Sequence, residues 1–238
     1  MSYEKVIIVA GHSDTDQGAV ADDGTTERSI TKAVAEKVLK KLRSRGHGVG
    51  VTESLSLVDK ISTVNDYCND NELTSSNSLL VSIHCDYSLA SAGVGVYYDD
   101  GNNKSKALGS VLYTTVSEYT DRDERFLYSE TKSRYESLGI ISSTIPTAVL
   151  VEVGSLSEPD LTYIKSDVGQ NDIAEAIVEA ICSYTDWQNP ADLARLRTCH
   201  AIYTLADKLA EDKLLQNEAI KIKNASHTAA DIIRESLD

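Results

Sequence analysis

Val6-Ile7-Ile8-Val9-Ala10-Gly11-His12 decides the reading of this chain, because an apolar, mostly β-branched run ends on a glycine and delivers a histidine. Two further stretches repeat the device. Leu79-Leu80-Val81-Ser82-Ile83-His84 ends on a second histidine, and Thr147-Ala148-Val149-Leu150-Val151-Glu152 runs onto a carboxylate. Short runs of this kind fit parallel strands covered on both faces. In open α/β sheets ligands bind in the crevice beyond the strand carboxyl ends. Two imidazoles and a carboxylate are therefore expected to converge there.

Between the strands the periodicity turns helical. After a long Gly/Asp/Ser/Thr loop from Gly11 to Gly24, Ile30, Val34, Val38, Leu39 and Leu42 recur on one face, and Gly46 marks a stop. Val49 to Thr52 reads as a strand, Leu57 to Cys68 as a helix, Gly93 to Tyr98 as a strand and Lys106 to Tyr119 as a helix. The charged stretch Thr120 to Ser137, with Arg122, Arg125, Lys132 and Arg134, reads as a solvated helix or loop in preference to a segment that contacts substrate. Asn171 to Tyr184 is the helix after the last strand. The expected fold class is α/β, a largely parallel twisted sheet flanked by helices.

Trp187-Gln188-Asn189-Pro190 interrupts this pattern. Beyond it, apolar positions from Leu193 to Leu237 suggest two helices with a break near Asn224-Ala225-Ser226. The expected organisation is a domain over residues 1–187 carrying the candidate site and a small C-terminal helical module over residues 188–238. A helical pair of that size needs to bury its apolar stripe on something. It either packs on the first domain or pairs with another copy, forming a homo-oligomer.

Bulk properties narrow the function. The net charge of -14 argues against a duplex nucleic-acid binder, which needs clustered Lys and Arg. From Gln188 onward seven basic residues meet eight acidic ones, so the acidic excess belongs to the first 187 residues. No run approaches the roughly 18 apolar residues of a membrane span, and the start leads directly into a strand without a signal-peptide pattern. The expectation is a protein made in the cytoplasm and not inserted in a membrane. Cys68, Cys85, Cys182 and Cys199 show no CxxC spacing and are expected to be free structural thiols.

A catalytic zinc takes about three protein ligands and keeps one position open. His12 and His84 supply two, and Glu27 is the best third candidate, since it opens the first helix after a loop long enough to return to the crevice. Glu152 then stands where a general base is needed, ready to accept a proton from the attacking water. Each alone has a plainer reading: a histidine ending a strand is often structural, and Glu27 suits a helix first turn. The coincidence of all four at one sheet edge favours chemistry. His47, His200 and His227 are expected to play no chemical part.

The local sequences resemble the zinc-dependent N-acetylmuramoyl-L-alanine amidases of the amidase-3 type. Gly11-His12 with Asp16, Gly18 and Ala19 is similar to that family's Gly-His-Gly-Gly-x-Asp-x-Gly-Ala opening, and Ser82-Ile83-His84-Cys85-Asp86 to its Ser-Ile-His-Ala-Asn/Asp segment. Pro146 to Gly154 is similar to its Pro-x-x-Leu-x-Glu-x-Gly stretch, and Glu27 stands where its second metal ligand opens the first helix. The resemblance covers roughly Val6 to Tyr184. It implies Zn²⁺ held by His12, Glu27 and His84, Glu152 as catalytic acid/base, and cleavage of the amide between N-acetylmuramic acid and L-alanine in peptidoglycan. Ser13-Asp14 and Ser155-Leu156-Ser157-Glu158 depart from the family pattern in loops beside the ligands. Without a signal peptide, such an enzyme is expected to act as a phage endolysin, released from the host cytoplasm onto the wall, with the C-terminal module docking to the wall or self-associating. The competing readings are a zinc peptidase or carboxypeptidase acting on another amide, and a non-catalytic wall-binding phage protein.

Overall fold

In the computed structural model, which describes residues 3–51, 55–88, 92–187, 198, 202 and 222–229, one six-stranded sheet organises the chain. Its strands are β1 Lys5–Ala10, β2 Gly48–Val51, β3 Ser78–Asp86, β4 Val94–Tyr98, β5 Glu124–Ser129 and β6 Thr147–Ser155. They lie in the order β2-β1-β3-β6-β4-β5. Every neighbouring pair is parallel except β4 with β6, which run antiparallel. The largely parallel α/β sheet is therefore present, mixed at one step.

Among the described residues up to Trp187 the α-helices are α1 Glu27–Ser44, α2 Leu57–Asp70, α3 Asn103–Thr120, α4 Gly139–Ser142, α5 Asp160–Ile164 and α6 Asp167–Thr185, the last two following β6. Ile7 and Val9 of β1, Leu80 of β3, and Ala148 and Leu150 of β6 share one face with Val64 and Cys68 of α2 and Ile140 and Ile141 of α4. On the other face α1 and α3 pack against the sheet and α6 packs against both. Burial on both sides explains why β1, β3 and β6 read as continuous apolar runs rather than alternating ones. α1 starts where Thr26 caps it by accepting from the Ser29 amide. Its chain stops beyond Arg45, where Gly46 takes φ +77°.

The stretch read as solvated, 120–137, instead contains the edge strand β5 and a 3-10 turn over Glu130–Lys132. Two compensations hide it. Arg125 is neutralised by Asp86 at the end of β3. Phe126 fills the space that Gly95 of β4 leaves, so a Cβ there would stand 2.4 Å from the ring Cζ. Charged residues are also ordinary on an edge strand. Gly95→Ala is accordingly expected to cost about 1–3 kcal/mol of overpacking, read by chemical denaturation. Phe126→Leu in the same chain should recover much of the loss.

The chain divides into two compact units, Met1–Thr185 and Asp186–Asp238. In the second, residues 222–229 form one continuous helix, so the break expected at Asn224-Ala225-Ser226 does not occur. None of these residues lacks an amide proton, and Thr228 Oγ1 donates to the Asn224 carbonyl one turn back (2.9 Å). Ile202 is exposed; the remaining expected tail positions, together with Cys199 and His200, lie outside the described residues. Cys68, Cys85 and Cys182 are buried free thiols. No helix among the described residues is long and apolar enough to cross a membrane.

Candidate active site

β1, β3 and β6 are adjacent, and their registers set the site. Ala10, the last residue of β1, pairs with Ile83, and His84 pairs with Glu152, so His84 and Glu152 stand level one step beyond the end of β1. Gly11 has to lack a Cβ, which would lie 2.7 Å from the His84 ring. The backbone then turns at His12, which adopts φ +64°. Gly18, at φ +69°, lets the loop pass under the site, since a Cβ there would meet both the His12 ring (2.5 Å) and Glu27 Oε2 (2.7 Å).

Glu27 lies between the two imidazoles. Its Oε2 is 2.9 Å from His12 Nε2 and its Oε1 is 2.9 Å from His84 Nδ1. Each oxygen also accepts one backbone amide, Ala19 N–H on Oε2 (3.1 Å) and Cys85 N–H on Oε1 (3.2 Å). The remaining nitrogen of the His12 ring faces Asp16 Oδ2 at 2.9 Å, and Asp16 Oδ1 accepts the Gly18 amide. Asp16 thereby orients the His12 ring so that Nε2 faces inward, the usual task of a carboxylate behind a ligating histidine.

Charge follows from this packing. Burial alone raises the Glu27 carboxyl, but hydrogen bonds from His12 and His84 outweigh it and hold the group well below the usual carboxylate range. Burial pulls the His12 imidazole down, and Glu27 and Asp16 more than reverse this, leaving it raised. Asp16 is lowered by its bond to His12.

Glu152 differs. The residue is half-buried, yet its Oε2 is sealed from solvent and has no hydrogen-bond partner. Burial pushes this carboxyl well above its ordinary range, Glu27 and Asp86 add to the shift, and Arg125 and Arg134 oppose it. Arg125 reaches this neighbourhood through a register shift: Val94 pairs with Glu124 but the next residue, Gly95, pairs with Phe126. The bulge leaves Arg125 unpaired in the ladder and re-aims it onto Asp86, which it grips with both guanidinium nitrogens.

The donor set suits a divalent metal. The ligand atoms of His12, Glu27 and His84 all lie within 4.8 Å of one another. Two ligands about 2.1 Å from a tetrahedral zinc stand roughly 3.4 Å apart, close to the spacings here. Two glycines whose Cβ atoms would fill the cradle, and an unbonded carboxylate oxygen beside it, fit the same ion. All four residues expected from the sequence are thus brought together. Sequence reading missed Arg125 and Lys60, a buried lysine on α2 that bonds to the backbone of His12. The phase of Lys60 with the buried Val64 and Cys68 is the signal that could have found it.

The departing loops have local roles. Arg28 pairs with Asp14. Ser155 Oγ accepts the Ser88 amide (2.8 Å) and donates to its carbonyl (3.0 Å), and the Leu156 amide donates to the Asp86 carbonyl (2.7 Å). His47 contacts the Glu4 carbonyl through Nδ1 (3.2 Å).

A mixed α/β sheet with a His-Glu-His cluster and a spare carboxylate at its strand ends defines the class. The chain belongs to the N-acetylmuramoyl-L-alanine amidase family, Amidase_3, whose match spans residues 6–183. It is 30% identical over 190 residues to an uncharacterized protein of Bacillus subtilis, YqiI, covering 76% of this chain and 84% of that one. It is 28% identical over 183 residues to the probable cell wall amidase LytH of Staphylococcus aureus, covering 75% of this chain but only 57% of LytH. Among solved structures, the catalytic domain of CwlV, an N-acetylmuramoyl-L-alanine amidase from Bacillus (Paenibacillus) polymyxa, aligns with a TM-score of 0.64 at 26% identity, over 77% of this chain and 99% of that one.

Proposed function

We propose that this protein hydrolyses the amide between N-acetylmuramic acid and L-alanine in peptidoglycan, with Zn²⁺ held by His12, Glu27 and His84. The observation that carries the reading is the unbonded, buried Glu152 Oε2 beside a His-Glu-His cluster at adjacent strand ends. Family membership supports the substrate. Zinc at such a site polarises the scissile carbonyl and makes water a nucleophile near neutral pH. Glu152 takes a proton from the attacking water and returns it to the departing amine nitrogen. The products are a lactyl carboxylate on the sugar and a free amino-terminal L-alanine. Glu27 supplies negative charge to both imidazoles, and Asp16 keeps the His12 ring turned inward.

The test is release of amino-terminal L-alanine from purified peptidoglycan by the wild type, the chelated protein and the chelated protein resupplied with Zn²⁺. Release that stops on chelation and returns with Zn²⁺ is expected. Stoichiometric zinc binding without such ends from several wall types would move the activity to another amide. The reading extends to a phage endolysin acting from inside the host. Lysis of a host expressing the protein only when a membrane pore is co-expressed would support it, and a wall-docking or self-associating role for residues 186–238 is read by pull-down on cell walls and by sedimentation of the full chain.

A further inference from the structure

Three successive carbonyls at the end of β1 are each captured by a side chain. Lys60 Nζ donates to the Ala10 carbonyl (2.8 Å) and to the His12 carbonyl, and Thr31 Oγ1 donates to the Gly11 carbonyl between them (3.2 Å). The two donors come from helices on opposite faces, α2 and α1. Here the ladder between β1 and β3 ends: Gly11 N–H still donates to the Ile83 carbonyl, but the next amide on β3 used in this region, Cys85 N–H, donates to Glu27. Among the described residues no strand pairs with His12. It nevertheless holds a left-handed conformation, φ +64°, that a non-glycine residue keeps only when its surroundings impose it.

Lys60 is a costly way to fill its position. It is 4% exposed and aligned with Val64 and Cys68 in the buried stripe of α2, where an aliphatic side chain would pack without desolvating a charge. Lys60 also lines the cavity of about 280 Å³ that His12 and His84 border. What the charge adds is two directed bonds straddling Gly11, one of them to the residue whose imidazole faces Glu27. A ligand is only as well placed as the groups that lock it.

We infer that Lys60 is a positioning residue that fixes the His12 backbone, and through it Nε2, in the geometry the metal needs. This rests on the reading of His12 as a metal ligand. Lys60 acts through His12 and Asp16 through the far side of the same ring, so backbone and ring are set independently.

The experiment compares wild type, Lys60→Met, Lys60→Arg and Lys60→Gln. The readouts are Zn²⁺ affinity by chelator competition, the visible absorption of the Co²⁺-loaded protein, and melting of the metal-free protein. Lys60→Met, which keeps the length and loses the donors, is expected to bind Zn²⁺ about 10–100-fold more weakly, the loss typical when a partner that orients a ligand is removed. Its Co²⁺ bands should shift. Lys60→Arg, able to donate to both carbonyls, should return affinity to within a few-fold of wild type. If Lys60→Met does not fold, Lys60→Gln, which keeps a single donating group, carries the test and should fall between wild type and a full loss. A folded Lys60→Met or Lys60→Gln with wild-type affinity and an unchanged Co²⁺ spectrum overturns the inference. A wild type that binds no Zn²⁺ overturns the metal reading itself and this inference with it.

Discussion

Replacing Glu152 by glutamine is expected to lower kcat on peptidoglycan by about 10²–10⁴-fold while making the folded protein more stable above acidic pH. Both effects have one source. Glu152 Oε2 is sealed from solvent without a hydrogen-bond partner, and burial, then Glu27 and Asp86, push the carboxyl well above its ordinary range. A carboxyl raised in the folded state relative to about 4.3 in the unfolded chain favours folding while it is protonated. That advantage is lost as pH rises through the folded value, where the buried group must charge. Glutamine removes the charge and keeps the shape. Metal-free Glu152→Gln should therefore melt higher than wild type at neutral pH, by roughly 2–4 °C for each kcal/mol relieved, and the difference should vanish in acid. Turnover has the opposite dependence, since only the ionised carboxyl accepts a proton. Turnover should accordingly fall on the acid side, as this carboxyl becomes protonated. A variant that kept wild-type turnover would remove Glu152 from the chemistry.

The expected opposition between stability and turnover is the reason the candidate site was legible in the sequence. An unpaired carboxylate at the end of a buried strand is a poor structural choice, as is a histidine where an apolar run terminates. Such a residue lies within three positions of the carboxyl end of each of β1, β3 and β6, and parallel neighbours bring strand ends together whatever the details of the loops. Glu27 was harder: its place in a helix first turn has a complete explanation in the helix dipole, and only the geometry, with one carboxylate oxygen on each imidazole, displaces it.

What escaped the sequence shares a different character. Arg125 belongs to a strand whose charged neighbours suggest solvent, and its direction depends on a bulge, a one-residue irregularity no periodicity announces. Lys60 shares the phase of the buried Val64 and Cys68, but its partners, two main-chain carbonyls some 50 residues away in sequence, follow from no periodicity. The antiparallel entry of β4 between β6 and β5 is likewise a matter of connection rather than composition. The candidate ligands and the candidate base carried their own signal, whereas Arg125 and Lys60, which bond around them, were written in contacts between distant segments.

Glu27→Gln is the second change with a large expected effect, and it separates the metal from the fold. With metal present, loss of the anionic ligand should weaken Zn²⁺ binding by more than the 10–100-fold typical of an orienting partner, and turnover should fall with it. Without metal the effect on stability depends on pH in a way the cluster dictates. The Glu27 carboxyl is held well below its usual range by the imidazoles, so its contribution is present above the unfolded value near 4.3 and is lost as pH falls through the depressed folded one. The His12 imidazole is raised by Glu27 and Asp16 against the pull of burial, so its contribution is present below the unfolded value near 6.5 and is lost as pH rises through the folded one. The two overlap between about pH 4.3 and 6.5. In that window metal-free wild type should exceed Glu27→Gln by about 3 kcal/mol, the scale of a hydrogen bond to a charged group, and the gap should narrow at pH 8.5 and again in strong acid. Urea denaturation at three pH values in the presence of a chelator reads this directly. A gap that does not change with pH would mean that Glu27 acts there by packing and backbone hydrogen bonds alone, because only its pairing with the imidazoles can give the difference a maximum between two pKa values.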